Sequence, residues 1–100
     1  MLSQRKYALD LLQETGLLGT KPMDTPMDLN SAFWDDTSDY LEDKASYRRL
    51  VGKLIYLTVT RPDISFAVGV VSQFMERPRT IHWDAALRIL KYIKASPGKG

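Results

Sequence analysis

The sequence of 100 residues contains no cysteine and a single histidine, His82. The missing cysteines exclude disulfide bonds, zinc–thiolate sites and cysteine nucleophiles, and they weakly favour a reducing compartment. No apolar run approaches the roughly 18–20 residues of a membrane-spanning helix. The first ten residues lack the apolar core of a signal peptide. We therefore expect neither a membrane partner nor secretion, and the sequence assigns no compartment.

Acidic and basic side chains are unevenly distributed along the chain. Residues 1–43 carry three basic and nine acidic side chains, whereas residues 44–100 carry eleven basic and three acidic ones. The overall charge of +2 therefore conceals an acidic half with a net charge of −6 and a basic half with +8. A polyanionic partner such as nucleic acid would explain the basic half, and a solvated basic surface would explain it equally well.

Four segments have the apolar spacing and the end signals of α-helices. The four predicted helices span approximately residues 3–15, 45–59, 62–76 and 80–95. Ser3 is the predicted cap of the first helix, and Gly16 is expected to adopt the left-handed backbone that ends it. The apolar run Ile64–Val71 could also form a buried strand, but its length and spacing favour a helix. The fourth helix, which ends before Ser96-Pro97-Gly98, is expected to bury Trp83, Ala86, Leu87, Leu90 and Ile93.

A long acidic segment, residues 17–43, separates the first two predicted helices and contains two prolines and seven acidic side chains. Structureless loops longer than about 12–15 residues are uncommon in compact domains. This segment is therefore interpreted as a mobile linker or as a strap that needs a missing partner. The predicted fold is all-α, a small bundle of three to four helices with a long irregular acidic loop. Its parts are an N-terminal helix (1–16), the acidic loop (17–43) and a basic helical bundle (44–100).

Residue patterns that could carry catalysis have simpler interpretations here. Asp35 and Asp36, with Asp39 nearby, might suggest a two-metal carboxylate site, but a solvated acidic loop is favoured because nothing in the sequence holds them rigidly. His82 has no evident nucleophile or orienting partner and is predicted to pack or to cap a helix. Trp83 is expected in the core and Tyr92 at its margin. The sequence thus predicts no catalytic residue, no metal ligand and no cofactor.

A glycine in the middle of the second predicted helix is more informative. Arg48, Gly52 and Tyr56 recur every four residues, on the side of the helix opposite its leucines. A glycine in a helix interior costs roughly 1 kcal/mol relative to alanine, so a close approach to its backbone is expected. Tight packing against another helix would explain Gly52. A nucleic-acid groove, which the helix enters more closely without a side chain, would explain it too.

The residues around this glycine carry a family resemblance. The run Tyr47–Thr58 (YRRLVGKLIYLT), followed by TRPDI at residues 60–64, resembles the Pol polyprotein of copia-type LTR retrotransposons. Further matches are LSQRKY at residues 2–7, TPM at 25–27, HWDAA at 82–86 and RILKY at 88–92. The core LVGKL at residues 50–54 also resembles a thumb helix of retroviral reverse transcriptases, which follows the minor groove of the primer–template duplex. The resemblance implies that the residues facing the groove are Arg48, Gly52 and Tyr56, with Arg49 and Lys53 beside them.

The same resemblance implies that this chain lacks the catalytic residues of the family. The polymerase site of the family needs a Tyr-x-Asp-Asp turn and a further palm aspartate, for which Trp34-Asp35-Asp36 is no substitute. The RNase H carboxylates would lie beyond Gly100. We therefore expect a non-catalytic fragment of the thumb region. Its expected partners are the palm and RNase H domains of the parent polyprotein and an RNA–DNA or DNA–DNA duplex, bound weakly and without sequence preference. The alternatives are a helical protein-interaction or structural module and an inert remnant of a decayed element.

Overall fold

Four α-helices make up the fold in the computed structural model, which describes residues 4–28 and 38–95. They are α1 (Gln4–Glu14), α2 (Lys44–Leu57), α3 (Ser65–Val71) and α4 (Thr80–Ala95). Within these ranges the chain forms no β-strand. The predicted all-α class is thus confirmed, and the helices lie where the apolar spacing placed them. None of the helices in the described ranges has both the length and the apolar character that a bilayer crossing requires.

Local sequence signals fix the ends of α1 and α2. Gly16 follows α1 with a φ of 76°, the left-handed conformation that was predicted. The amide of Leu17 donates to the carbonyl of Leu12 at 2.8 Å, which closes the Schellman arrangement typical of such an end. At the start of α2 the carboxylate of Asp43 accepts from the amide of Ser46 at 3.0 Å. The predicted cap Ser3 and the terminating residues 96–98 lie outside the described residues.

The third predicted helix is an α-helix with a tighter turn at each end. Short 3-10 helices, Pro62–Ile64 and Ser72–Phe74, flank α3. The strand alternative for Ile64–Val71 is therefore wrong. The last 3-10 helix ends at residue 74, two residues before the predicted end at residue 76, and Met75 after it keeps helical backbone angles.

The core lies where α1, α2 and α3 pack against α4, and α2 also packs on α3. The hydroxyl of Tyr47, fully buried on α2, donates to the carbonyl of Val71 at 2.6 Å and ties α2 to the end of α3. Burial raises the pKa of this phenol, so it stays a neutral donor. The largest fully buried branched aliphatic side chains come from all four helices and one 3-10 turn: Leu12, Val51, Leu54, Leu57, Ile64, Val71, Ile89, Leu90 and Ile93.

The buried face of α4 is rotated relative to the prediction. Trp83 and Leu87, expected in the core, are only half-buried and pack against its margin. His82, Ala85 and Ile89 are buried in addition to the expected Ala86, Leu90 and Ile93. The difference arises because α1, α2 and α3 all pack on α4, and the side that they cover decides which of its residues are buried.

The described parts of the predicted acidic loop lie against the helices. Residues 17–28, which we call the strap, run along α4. Arg88 of α4 donates from Nη2 to the hydroxyl of Thr25 at 2.8 Å and from Nε to its carbonyl at 3.3 Å. The ammonium of Lys94 donates to the strap carbonyls of Leu17, Leu18 and Thr20. Two cations of the basic half are therefore used within the fold.

Residues 38–41 pair with the segment that precedes α4. Tyr40 and Arg79 form an isolated antiparallel bridge. On either side of it, the amide of Leu41 donates to the carbonyl of Pro78 and the amide of Thr80 donates to the carbonyl of Asp39, both at 2.8 Å. This short pairing holds the start of α2 close to the start of α4.

Candidate nucleic-acid interface

The face of α2 that points away from the core carries the predicted site. All of the buried α2 residues lie on one side of the helix: Tyr47, Leu50, Val51, Leu54 and Leu57. Arg48, Gly52 and Tyr56 lie on the opposite side and are exposed, as their four-residue spacing predicted. We call these three residues the groove face. They follow one another at about 6 Å intervals along the helix axis.

Gly52 leaves a gap in the side chains of this face. Apart from its chain neighbours and the backbone of its own helix, a Cβ atom built on Gly52 meets no atom within 4 Å in the described structure. Packing against another helix, one of the two explanations that the sequence left open, is therefore wrong for this part of the chain. The helix has a bare, solvent-exposed stretch of backbone at its centre.

Arg48 is held in place by a main-chain contact from outside α2. Its Nε donates to the carbonyl of Met75 at 2.8 Å, beyond the end of α3. A guanidinium has five N–H donors, and this contact uses one of them. The side chain is thereby oriented while its remaining donors stay available on an exposed surface. An arginine in this state suits a phosphate or a groove edge.

Tyr56, at the other end of the groove face, contacts a residue of α1. Its ring centroid lies 4.9 Å from that of Tyr7, and the ring planes are inclined by 67°, an edge-to-face arrangement. Tyr56 is still 47% exposed. Burial raises the pKa of Tyr7 despite the opposing effect of the nearby Lys53 ammonium. The aromatic end of the groove face is therefore built by two helices.

The two flanking cations of the predicted site lie on the side of α2 that faces α1. Arg49 is exposed and donates to the hydroxyl of Ser46 at 3.0 Å. The ammonium of Lys53 lies 3.1 Å and 3.2 Å from the carboxylate oxygens of Glu14. Both cations line a depression of about 300 Å³ between α1 and α2, with Trp83 at one side. Any anion on this side of the face must compete with Glu14 for Lys53.

His82 is the packing and capping residue that the sequence predicted. It is buried, and its ring stacks on Phe74 with centroids 3.7 Å apart and planes inclined by 11°. Its Nδ1 accepts from the amide of Arg79, the residue before α4, at 2.9 Å. A side chain in the first turn that reaches back to a preceding amide does the work of the acidic residue in a capping box.

The structure describes only some of the remaining candidates from the sequence. Asp39 is exposed, and Asp35 and Asp36 lie outside the described residues. In the described ranges no group of three His, Asp or Glu side chains could hold a metal ion. Tyr92 lies at the margin of the core, as expected, and its hydroxyl donates to Asp63 at 2.9 Å.

Sequence reasoning missed the contribution of α1 to the site. Tyr7 and Glu14 are seven residues apart, two helical turns, so they share one side of α1 with the buried Leu11. That spacing was a usable signal. The helical wheel of one helix gives no information about which neighbouring helix it packs against. The contacts of Tyr7 with Tyr56 and of Glu14 with Lys53 were therefore visible only in the tertiary structure.

Comparison with known proteins places the whole chain alongside retrotransposon sequences. It is 44% identical over 99 residues to the retrovirus-related Pol polyprotein from transposon RE2 and 46% identical over 99 residues to that from transposon RE1, both of Arabidopsis thaliana. It is also 38% identical over 104 residues to the Pol polyprotein from transposon TNT 1-94 of Nicotiana tabacum. These matches cover 97–99% of the chain but only 7–8% of each relative. No protein-family model matches the chain, and no solved structure matches it significantly.

Proposed function

Because the chain is homologous to one segment of the Pol polyproteins of copia-type retrotransposons, we propose that its groove face grips a nucleic-acid duplex. The face is Arg48, Gly52 and Tyr56, with Arg49 and Lys53 beside it. In this proposal the chain is a thumb-like, non-catalytic piece of a reverse transcriptase. The palm and RNase H domains of a longer polyprotein are its covalent neighbours and carry the chemistry.

The observation that carries the proposal is the open space at Gly52. A mid-helix glycine costs roughly 1 kcal/mol relative to alanine. Within the described structure no neighbour approaches Gly52 closely, so the fold gains nothing that offsets this cost. A nucleic-acid partner would bind more closely because of the missing side chain, since a bare helix backbone can approach a groove more closely than one that carries side chains. The cation and the aromatic ring on either side of the glycine suit such a partner.

The distribution of cations supports the same face. Arg88 and Lys94 on α4 are bound to the strap, which removes them from the exposed basic surface. On α2, Arg48 and Arg49 remain exposed. Contacts from these side chains to phosphates would be strong in low salt and independent of base sequence. Weak binding without sequence preference is therefore the expected mode.

A docking surface for another protein is the second candidate function. Val59, just after α2, is 74% exposed, and Phe66 on α3 is 71% exposed. Contiguous apolar patches mark surfaces that other proteins cover, whereas single exposed apolar side chains are common. This candidate predicts binding that depends little on salt, whereas duplex binding predicts a steep dependence.

Two glycine variants test the proposal. Gly69 on α3 also has open space around its missing Cβ, but it lies on a different helix. Gly52→Leu and Gly69→Leu therefore make the same substitution at two exposed helical positions, one inside the groove face and one outside it. Fluorescence anisotropy with a labelled RNA–DNA hybrid should show several-fold weaker binding for Gly52→Leu and unchanged binding for Gly69→Leu. The wild-type affinity should fall with salt by about 0.9 logarithmic units per decade for each phosphate contacted. Equal affinities for the two variants would refute the groove face.

A further inference from the structure

A second cationic surface lies beyond the N-terminal end of the groove face, around Tyr40. The guanidinium carbon of Arg79 is 4.0 Å from the centroid of the Tyr40 ring, and that of Arg77 is 4.5 Å from it. Tyr40 remains 48% exposed. Residues 77 and 79 share one side of an extended segment that pairs with Tyr40, which explains why both cations meet one ring.

Lys44, the first residue of α2, lies next to this ring. An open depression of about 270 Å³ is lined by Tyr40, Leu41, Lys44, Arg77 and Pro78. Its charged lining residues, Lys44 and Arg77, are both cations. Neither of them forms an ion pair with a described residue. Several acidic residues are near in the sequence, but the depression is lined by none of them: Asp39, Glu42, Asp43 and Glu76.

We infer that Tyr40, Lys44 and Arg77 form a phosphate-binding contact that continues the groove face along a nucleic-acid strand. The inference rests on the proposed function and extends the site beyond α2. A phosphate in the depression would supply a counter-charge to Lys44 and Arg77, neither of which has one among the described residues. The Tyr40 ring restrains Arg77 and Arg79 by cation–π contact, so these two cations are oriented before a ligand arrives.

The position of Lys44 identifies nucleic acid as the occupant. Lys44, Arg48, Gly52 and Tyr56 recur every four residues, so the depression and the groove face lie on one side of α2. The run from residue 44 to residue 56 is about 18 Å long at 1.5 Å per residue. One strand of a duplex carries one charge per roughly 3.4 Å of its axis, so a strand lying along α2 has about five phosphates over this length.

The test removes the two exposed cations and compares the effect with that of removing a single cation elsewhere on the surface. Lys44→Gln/Arg77→Gln should reduce the affinity for a labelled RNA–DNA hybrid several-fold and lower the salt slope by about two contacts. The control is Lys21→Gln in the strap, an exposed lysine without an ion pair to a described residue. It should leave the salt slope unchanged. In an NMR titration with the same hybrid, the ring signals of Tyr40 should shift in the wild-type protein. They should also shift in Gly52→Leu, but at a higher concentration of the hybrid.

The possible failures are distinguishable. The phosphate contact is wrong if the double variant loses no more affinity per charge removed than Lys21→Gln does, and if the Tyr40 ring signals do not shift. If Gly52→Leu still weakens binding in that case, the groove face stands. If the wild-type chain does not bind the hybrid, both are wrong. If polyglutamate displaces the hybrid at equal charge concentration and shifts the Tyr40 ring equally, the occupant is an acidic protein segment, which overturns the inference.

Discussion

The phenol of Tyr92 donates a hydrogen bond to Oδ2 of Asp63 at 2.9 Å, across 29 residues of chain. The same carboxylate accepts from Nε of Arg61 at 3.1 Å and from Nη2 at 2.9 Å. Arg61 is only 4% exposed, and its guanidinium lies 5.7 Å from the Tyr92 ring centroid. A buried cation is costly unless it is paired and hydrogen-bonded. The TRPDI motif at residues 60–64 thus fixes the turn between α2 and α3 onto α4.

Tyr92→Phe should destabilise the fold by about 1–2 kcal/mol, because it removes a hydrogen bond to a charged group. Urea unfolding would measure the change. Tyr7→Phe is the control, since the Tyr7 hydroxyl makes no hydrogen bond with a described residue. This change should alter the unfolding free energy by less than about 0.5 kcal/mol. Similar losses for both variants would show that the Tyr92 hydroxyl has no special role.

The Arg61–Asp63 contact predicts how stability depends on acid. Hydrogen bonds from Arg61 hold the pKa of the Asp63 carboxyl below its ordinary value of 3.8, and the Tyr92 hydroxyl lowers it further. A depressed folded-state pKa gives stability that is present above the unfolded pKa and lost as the pH falls through the folded one. The unfolding free energy should therefore change little near neutral pH and fall below about pH 4. Asp63→Asn should be less stable near neutral pH and should lose less on acidification. An acid dependence identical to that of the wild type would contradict this assignment.

Gly52→Ala and Gly69→Ala should each stabilise the protein by up to about 1 kcal/mol. The added methyl groups enter open space, so helix propensity alone decides the sign. Thermal and urea unfolding of the two single variants would measure it. Gly52→Ala should also weaken duplex binding while Gly69→Ala leaves it unchanged. A loss of stability at Gly52 would mean that something inside the chain packs against it after all.

Glu14→Gln should strengthen duplex binding, because it releases the Lys53 ammonium that Glu14 holds at 3.1 Å. The salt slope should steepen by about one contact. Asp10→Asn is the matched control, since it removes one carboxylate from the same helix, where Asp10 lies 3.6 Å from Lys6. Both variants raise the net charge by one unit. An equal gain for both would show that total charge, and not Lys53, sets the affinity.

Lys94→Gln should loosen the strap, since the Lys94 ammonium is the shared donor for three of its carbonyls. Subtilisin should then cut within residues 17–28 several-fold faster than in the wild type. Lys91→Gln is the control, because that side chain makes no hydrogen bond or ion pair with a described residue. Unchanged cleavage of Lys94→Gln would show that the other strap contacts suffice.

The sequence by itself determined the helices and, for α2, which side of the helix is buried. Leucines and valines at three- and four-residue spacing, Gly16 after α1 and Pro62 before α3 are local signals, and local backbone energetics act on them directly. The exposure of Arg48, Gly52 and Tyr56 followed from their spacing along α2 alone. Only the tertiary structure decided which residues of other elements join them. Tyr7 and Glu14 reach α2 from α1, Arg77 and Arg79 meet Tyr40 across a short pairing, and the strap binds Arg88 and Lys94. The periodicity of one segment carries no information about its neighbours in space, so these contacts emerge only when the helices pack around α4.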